Sequence, residues 1–384
     1  MRGPAPSGVK ISIVSFDLSD NATGRAELLA RLLAPRHDVT VVGPLLDGAV
    51  WAPLAASPVP YRGLPAHRYP RLVADVPPLL RLIDGDLIYA CKPRPTSFGL
   101  GLLARRQRRR PLVLDVDDWE LGFFYRSGGW GRVGRALNLA DPNGLTWTWL
   151  CERLVAAADA VTVASRFLER RFGGTLVPHA RDTEAWDPAR WDGAPVRASL
   201  DARGRAVVMF LGTPRAYKGV DDLVEAVGTL AGRAVLAVVG VRPDSDAARR
   251  WAAHAHVRLV GEIPFDDVPR HLAAADVVAV PQRATSDTLG QVPAKLFDAM
   301  ALARPVVATA VSMIPEVLDG CGVVVPPGDI AALAGAIGRL LDDPGAAAAM
   351  GRRARERCVV EYSFAAARAR LFPLIDSLLP GHRA

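Results

Sequence analysis

The chain has 384 residues, with 47 Lys+Arg against 40 Asp+Glu and a formal net charge of +7 at pH 7. Its hydrophobic fraction of 50% and charged fraction of 23% are typical of a globular protein and exclude a disordered chain. No run reaches the roughly 18 apolar residues of a membrane-spanning helix, and the N-terminus lacks a signal-peptide core. The four cysteines form no C-x-x-C, which argues against a zinc site or a disulfide framework and for a reducing compartment.

Arginine dominates the basic residues of this chain. The lysines are Lys10, Lys92, Lys218 and Lys295. An arginine excess in a chain rich in Ala, Gly and Pro is typical of a GC-rich genome, and no nucleic-acid-reading motif accompanies it, so we expect no nucleic-acid partner. The cluster Arg105–Arg110 predicts contact with an anionic acceptor or an anionic membrane, where each basic residue contributes about 1 kcal/mol.

The first half of the chain alternates short apolar strands with amphipathic stretches. The strand candidates are Lys10–Ser15, Asp38–Val42, Asp86–Ala90, Pro111–Val116, Ala158–Val163 and Thr175–Pro178. Between the first two, Gly24–Ala34 has apolar residues at helical spacing and predicts an α-helix. Gly99–Ala104 (GLGLLA) matches a dinucleotide fingerprint, but it does not follow a strand directly, so we interpret it as the start of a helix.

An irregular, Trp- and Pro-rich segment from residue 182 to about 203 separates this series from a second one. The later strand candidates are Ala206–Leu211, Ala234–Val239, His256–Val260, Val277–Val280, Pro305–Ala308 and Gly322–Val325. Helix candidates are Val220–Leu230, Ile330–Leu341 and Ala346–Val359. Continuous apolar strands alternating with helices predict an α/β fold of two doubly wound domains, with ligands beyond the carboxyl ends of the strands.

The acidic segment Asp115–Glu120 follows a predicted strand and allows three interpretations. Its D-x-D pattern could supply oxygen ligands to Mg²⁺ or Mn²⁺ on a nucleotide sugar. Its carboxylates could instead cap the following helix. The third interpretation, which we favour, is that a carboxylate here binds the acceptor or handles a proton.

Two later segments carry lysines at positions suited to phosphate binding. Leu211–Gly219 ends a strand and begins a helix, so Arg215 and Lys218 would bind a diphosphate beside the helix N-terminus rather than remain solvated cations. In Ser286–Ala301, Lys295 and Asp298 share a helix face, which fits either a surface ion pair or a donor site. A carboxylate such as Asp298 is a natural partner for ribose hydroxyls.

Several stretches taken together resemble one known family. They are HDVTVVGP, ADAVTVASRFLERRFGGTLVPHARD, FLGTPRAYKGVDDLVEAV, LVGEIPFDDVPRHLAAADVVAVPQ, PAKLFDAMALARPVVAT and CGVVVPPGDIAALAGAIGRLLDDP. Over nearly its whole length the chain resembles the retaining glycosyltransferases of the GT-B fold, glycosyltransferase family four. The resemblance implies two Rossmann-like domains facing across a cleft. The expected parts are an acceptor-binding domain 1–185, a linker 186–203, a nucleotide-sugar-binding domain 204–358 and a C-terminal helix 359–384 crossing back to the first domain.

The resemblance implies roles on the donor side. Arg215 and Lys218 resemble the family's cations on the donor diphosphate, although the arginine's usual position holds Thr213. Asp298 matches the ribose-binding second acid of the E-x7-E motif, whereas Gly290 replaces the first acid. Sugar contacts are then expected from residues after 290, and the base from the loop 261–263. The expected donor-binding residues are Thr213, Gly261, Glu262, Ile263, Gln291, Val292, Lys295 and Asp298.

On the acceptor side, the family's cleft histidine falls near Asp117, which is acidic here. The turn Ser19–Gly24 (SDNATG) replaces the family's paired glycines. His179 ends a strand, where it is either structural or in contact with ligand. The expected acceptor-binding residues are Asp20, Asn21, Gly24, Asp118 and His179.

The implied reaction transfers a sugar from a nucleoside-diphosphate sugar to an acceptor hydroxyl with retention of configuration. We expect Arg215 and Lys218 to stabilise the leaving diphosphate, and Asp117 to orient the acceptor or to stabilise positive charge on the sugar. With two cations in that role, we expect no metal or other cofactor. The acceptor is a small molecule, a polysaccharide or a lipid-linked glycan, and the enzyme is expected in the cytoplasm with possible contact to the inner membrane face.

Two alternatives remain open from the sequence. The missing acid at Gly290 and the acidic Asp117 are compatible with a degenerate, non-catalytic nucleotide-sugar-binding partner of another transferase. The D-x-D pattern is compatible with a different, metal-dependent enzyme, which metal dependence of the activity would reveal.

Overall fold

The computed structural model describes residues 8–125, 129–230 and 232–379, without side chains at 129, 130 and 132. Contacts divide them into two units. The first unit runs to His179 and adds Leu289–Gln291 and the chain from Ala367 onward. The second holds Ala180–Thr288 and Val292–Ala366. The expected linker 186–203 thus lies within the second unit, and the boundaries 185 and 358 differ from those found; residues 1–7 and 380–384 lie outside the described part.

The first unit is built on a parallel sheet in which the described strands take the order β3-β2-β1-β4-β5-β6-β7. The strands are β1 (Lys10–Val14), β2 (Asp38–Leu45), β3 (Tyr61–Pro65), β4 (Leu87–Cys91), β5 (Leu112–Val116), β6 (Ala160–Val163) and β7 (Thr175–Leu176). Its helices are α1 (Thr23–Leu33), α2 (Leu72–Leu82), α3 (Leu100–Arg108), α4 (Glu120–Tyr125), α5 (Gly129–Leu137), α6 (Leu145–Arg153) and α7 (Arg166–Phe172).

The second unit repeats the plan, with described strands in the order β10-β9-β8-β11-β12-β13. The strands are β8 (Ala206–Leu211), β9 (Ala234–Val239), β10 (Val257–Val260), β11 (Val277–Val280), β12 (Val306–Thr309) and β13 (Val323–Val325). The helices are α8 (Ala194–Ser199), α9 (Val220–Gly228), α10 (Asp246–Ala252), α11 (Val268–Ala273), α12 (Ala294–Ala301), α13 (Ile314–Leu318), α14 (Ile330–Asp342) and α15 (Pro344–Glu361). A last helix, α16 (Phe364–Leu378), begins in this unit and continues into the first.

Both sheets are covered on two faces, which explains why their strands are apolar at successive positions. Along β8, Val207 and Met209 pack into one core cluster, whereas Val208 and Phe210 pack into another on the opposite face. A strand buried on both sides needs apolar residues at every position, which is the pattern of AVVMFL in β8. The two-domain GT-B fold expected from the sequence is confirmed, as is every predicted strand.

Several elements were not predicted, and for three of them the reason is identifiable. The edge strand β3 carries Gly63 and Pro65, which are rare in strands away from an edge. Helix α2 contains Pro77 and Pro78, which normally argue against a helix interior. The short α8 lies in the segment expected to be irregular.

The strand order fixes where ligands can bind. In each unit the order reverses beside the first strand, between β1 and β4 in one and between β8 and β11 in the other. In doubly wound sheets, ligands bind at such reversals, beyond the carboxyl ends of the strands. Lys92 directly follows β4, and the segment 212–219 directly follows β8. Among the described residues, no helix is both long and apolar enough to cross a membrane.

Candidate functional site

In the first unit, a buried lysine lies at the centre of the acidic segment. Lys92 adopts a left-handed backbone conformation with φ of 71°, and its side chain is 5% exposed. Its Nζ lies 2.7 Å from Asp117 Oδ1, 2.9 Å from Asp118 Oδ2 and 2.7 Å from Glu120 Oε1. The contacts with Asp118 and Glu120 are hydrogen bonds from the ammonium group, whereas the contact with Asp117 is an ion pair.

This arrangement bears directly on the metal interpretation of D-x-D. One oxygen each from Asp117, Asp118 and Glu120 lies within 4.8 Å of the others, a spacing compatible with a metal ion. The Lys92 ammonium, however, contacts all three carboxylates at hydrogen-bonding distance. It supplies the positive charge that a divalent cation would otherwise bring, so the residues do not fit a metal site while Lys92 is charged.

The carboxylates around Lys92 are held in different protonation states. Burial and the neighbouring Asp118 and Asp115, against the attraction of Lys92, raise the pKa of Asp117 to about 7. Although burial opposes it, Arg94 and Lys92 lower the pKa of Glu120 to about 2. Glu120 is therefore a permanent anion, whereas Asp117 can exchange a proton near neutral pH, as a group handling protons requires.

Arg25, in the first turn of α1, forms hydrogen bonds to residues at the carboxyl ends of two strands of the sheet. Its guanidinium donates to both carboxylate oxygens of Asp115 at 2.9 and 2.8 Å, and to the carbonyl of Val177 at 2.8 Å. Asp115 is the penultimate residue of β5 and lies two residues before Asp117, and Val177 lies two residues before His179. The sequence does not reveal this link, because the partners are 90 and 152 residues apart.

The predicted acceptor residues occupy varied settings in this unit. Asp20 accepts from the backbone N–H of Ala22 at 2.8 Å and so shapes the turn before α1, where Asn21 is exposed and Gly24 is partly buried. His179 is partly buried. Asp118 accepts a hydrogen bond from Gln291 Nε2 at 3.2 Å, so this predicted donor-binding residue lies beside a predicted acceptor-binding one.

The packing around Gly290 bears on the absence of the family's first acid at this position. The Gly290 carbonyl accepts from Ser165 Oγ at 2.8 Å. A Cβ on Gly290 would lie 3.0 Å from the backbone nitrogen of Trp119 and 3.2 Å from Leu168. A side chain at this position would therefore need Trp119 and Leu168 to move by a few tenths of an ångström, so Gly290 fits the close packing here.

In the second unit, the structure gathers several cations around Lys295. Lys295 lies in the first turn of α12, and Arg181, Arg215 and Lys218 are all close enough to influence its pKa. Burial lowers the pKa of Lys295, Asp298 opposes that effect, and Arg181 and Arg215 reinforce it. We call Arg181, Arg215, Lys218 and Lys295 the cationic cluster.

Helix geometry adds further positive potential at the cationic cluster. Gly219 caps α9 with φ of 66°, and a Cβ there would lie 1.9 Å from the Pro281 carbonyl oxygen. A glycine is therefore needed at the N-cap position, between Lys218 and the first residue of α9. The N-terminus of a helix carries free N–H groups and the positive end of its dipole, which suits a phosphate group.

Asp298 is engaged by a partner that the sequence did not indicate. Both Asp298 and Arg181 are buried, and Arg181 Nε donates to Asp298 Oδ1. The guanidinium also stacks on Trp186 and Phe265, with centroid distances of 5.6 and 5.9 Å. The prediction that Asp298 binds ribose therefore depends on its second oxygen, Oδ2.

The remaining predicted donor residues lie on loops after β8, β10 and β11. Thr213 and Gly261 are partly buried, and Glu262 is exposed. Ile263 packs partly buried against the core, and Val292 is fully within it. Gly261, Glu262 and Ile263 thus follow β10 at the sheet edge where a base is expected.

The absence of a side chain at Gly212 leaves space for the Lys295 side chain. Gly212 has φ of 122°, and a Cβ there would lie 1.9 Å from Lys295 Cε and 2.4 Å from its Nζ. We expect Gly212→Ala to displace the Lys295 ammonium and to weaken nucleoside-diphosphate binding about tenfold, measured by calorimetry. Gly204→Ala is the control, since Gly204 is also left-handed (φ 78°) but has open space beside it. Equal binding by the Gly212 variant and the wild type would contradict the expectation.

Comparisons with known proteins agree with this geometry. The model of glycosyl transferases group 1 matches residues 205–343, and that of the glycosyl transferase 4-like domain matches 22–182. A GDP-mannose-dependent α-(1-6)-phosphatidylinositol monomannoside mannosyltransferase of Mycolicibacterium smegmatis is 30% identical over 374 residues, covering 90% of this chain and 91% of the relative. The chain belongs to the group 1 glycosyltransferases of glycosyltransferase family four.

Other relatives of this glycosyltransferase are more distant. A D-inositol 3-phosphate glycosyltransferase of Kineococcus radiotolerans is 32% identical over 247 residues, covering 54% of each chain. The structure of HepE from Anabaena in complex with UDP and glucose is 20% identical with a TM-score of 0.73, covering 96% of this chain and all of that one. Sucrose-phosphate synthase from Thermosynechococcus elongatus has a TM-score of 0.72 at 20% identity, covering 96% and 98%. These structural likenesses show the GT-B fold.

Proposed function

We propose that this glycosyltransferase moves a hexosyl group from a nucleoside-diphosphate sugar to an acceptor hydroxyl with retention of anomeric configuration and without a metal ion. The observation that carries the proposal is the cationic cluster, in which Arg181, Arg215, Lys218 and the carboxylate Asp298 all influence Lys295. Four cations with one carboxylate leave an excess of positive charge, which favours an anion of high charge density. A diphosphate, at the carboxyl edge of a doubly wound sheet, is such an anion.

The leaving group makes the cationic cluster useful for catalysis. As the glycosidic bond to the donor breaks, the two electrons of the bond move to the β-phosphate oxygen, whose negative charge grows. Lys218 and Arg215 stabilise that charge more in the transition state than in the bound donor, which lowers the barrier. Lys295 and the N-terminus of α9 act on the same anion.

Asp117 supplies the acceptor side of the proposal. Its carboxylate, with a pKa raised to about 7 by burial, accepts a hydrogen bond from the attacking hydroxyl or balances positive charge on the sugar. No side chain is assigned as a covalent nucleophile. The departing phosphate therefore takes the acceptor proton in a front-face attack, so that both bonds change on one face and configuration is retained.

Similarity to GDP-mannose-dependent mannosyltransferases favours GDP-mannose as the donor and an inositol-containing lipid glycan as the acceptor. The experiment compares GDP-mannose with UDP-glucose and ADP-glucose, with EDTA present, and determines the product's anomeric configuration by NMR. Transfer in EDTA with an α-linked product supports the proposal. An inverted product, abolition by EDTA, or binding of donor without hydrolysis or transfer would each contradict it, the last outcome indicating a non-catalytic partner.

The pH dependence of transfer tests Asp117. Because burial raises the pKa of Asp117 to about 7, we expect kcat/KM to rise as pH increases through 7, where the carboxyl loses its proton. In Asp117→Asn this limb should disappear, and kcat/KM should fall about 10²-fold. Asp38→Asn serves as the control, because Asp38 is an exposed carboxylate at the start of β2, at the opposite end of the strands from Asp117. A pH limb that persists unchanged in Asp117→Asn would assign it to another group.

A further inference from the structure

A concave, arginine-lined pocket lies in the first unit, away from the residues described so far. Its volume is about 590 Å³, and its polar lining comprises Arg105, Arg106, Arg109, Arg110, Asp159 and Ser377. These residues come from the end of α3, the turns before β5 and β6, and the end of α16. The lining thus carries four guanidinium groups against one carboxylate.

The pocket and the candidate acceptor site lie at opposite ends of the strands of this sheet. Arg110 and Asp159 precede β5 and β6, whereas Asp117 follows the carboxyl end of β5. A five-residue strand is about 16 Å long, so one small substrate does not span both places. The pocket is therefore separate from the candidate acceptor site at Asp117.

Two of the arginines form the wall of the pocket. Arg105 Nη2 lies 2.6 Å from Asp159 Oδ1, and Arg110 Nη1 donates to the carbonyls of Ile83 and Gly85 at 2.8 Å each. The Nε of Arg110 is buried and finds no acceptor among the described residues. Burial and the neighbouring Arg108 lower the pKa of Arg110, so an anion nearby would relieve the repulsion between them.

The other two arginines are available to a ligand. Arg106 and Arg109 are exposed, and among the described residues no carboxylate lies within the 4.0 Å of an ion pair from either. Arg109 ends α3 with φ of 51°, and the negative end of the helix dipole stabilises these like charges at close range. Guanidinium groups so placed match the paired oxygens of a phosphate group.

We propose that this pocket binds a phosphate-bearing anion, separate from the donor and acceptor of the transfer reaction. The volume fits a phosphorylated sugar-sized group. The phosphate would be held by Arg106 and Arg109. The charges of Arg105 and Arg110 would add to the positive electrostatic potential of the pocket. The phosphate belongs either to a free anion or to a lipid headgroup.

The first test uses inorganic pyrophosphate as the probe, titrated calorimetrically. Titrations are made in the Lys218→Ala background, which weakens binding at the cationic cluster. We expect the pair Arg106→Glu and Arg109→Glu to weaken pyrophosphate binding at least tenfold. The matched control is the pair Arg68→Glu and Arg71→Glu, exposed arginines of the same unit outside the pocket, which should change binding less than twofold.

The second test distinguishes the sources of phosphate by vesicle sedimentation. Binding to phosphatidylglycerol vesicles but not phosphatidylcholine vesicles, lost only in the Arg106/Arg109 pair, assigns the pocket to a lipid headgroup. Pyrophosphate binding without vesicle binding assigns it to a free anion. The proposal is overturned when both arginine pairs weaken binding equally, or when neither probe distinguishes the Arg106/Arg109 pair from unmodified protein. Circular dichroism melting curves verify that all variants remain folded.

Discussion

Replacing Lys92 by methionine should lower the free energy of unfolding by about 3–5 kcal/mol, the usual cost of breaking a buried charge pair from one side. Three carboxylates would remain near one another with their shared cation removed. Urea denaturation at pH 7 measures the loss. Lys10→Met is the control, since Lys10 pairs with Asp84 at a half-exposed site and should lose at most about 1 kcal/mol.

The pH dependence of stability provides a second, independent test of the role of Lys92. Without Lys92, Asp117 loses the attraction that opposes its raised pKa, so this pKa should lie above the wild-type value of about 7. Asp117 makes both proteins more stable as the pH falls through its pKa, but in the variant this gain should begin at a higher pH. In the wild type, Glu120 with its pKa lowered to about 2 contributes the opposite trend, losing stability as pH falls toward 2.

Metal ions provide a further check on the Lys92 interpretation. Once the ammonium is absent, the spacing of the three carboxylates within 4.8 Å suits a divalent cation. We expect Mn²⁺ or Ca²⁺ to raise the melting temperature of Lys92→Ala but not of the wild type. A wild-type protein that binds Mn²⁺ equally well at this position would contradict the idea that the ammonium replaces a metal.

The difference between what sequence predicts and what structure adds is clear at Lys92. Its rarity in an arginine-rich chain was a signal, but the sequence assigned chemistry only to Lys218 and Lys295, because those stand in recognisable phosphate-binding segments. Lys92 lies between 25 and 28 residues before the carboxylates that it contacts. Only the parallel pairing of β4 with β5 brings the end of one strand beside the end of the other.

Arg181 illustrates the same limit on the donor side. The strands and their division into two doubly wound domains follow from local apolar patterning, so the fold and the segments near each site were predictable. The pairing of Arg181 with Asp298 joins residues 117 positions apart and has no local signal. Likewise, the sequence shows that Gly290 lacks an acid, but only the structure shows that a side chain there would crowd Trp119 and Leu168.

Replacing Lys218 by alanine should lower kcat/KM for sugar transfer by about 10²–10³, the range found when one donor to a developing anion is removed. The reason is that the Lys218 ammonium interacts most strongly with the diphosphate as the bond to the sugar breaks. The fall should appear mainly in kcat, because uniform loss of ground-state binding would raise KM alone. Steady-state kinetics with saturating acceptor separates these two effects.

Two matched variants make the Lys218 assignment specific. Arg215→Ala should lower kcat/KM less than Lys218→Ala, because Arg215 is exposed, whereas Lys218 is partly buried and lies two residues before the first residue of α9. Lys10→Ala removes an equivalent charge from the other unit and should leave kcat unchanged. If Lys218→Ala retained near-wild-type kcat/KM while Arg215→Ala lost it, the leaving phosphate would be stabilised from the turn before the helix rather than from its N-terminus.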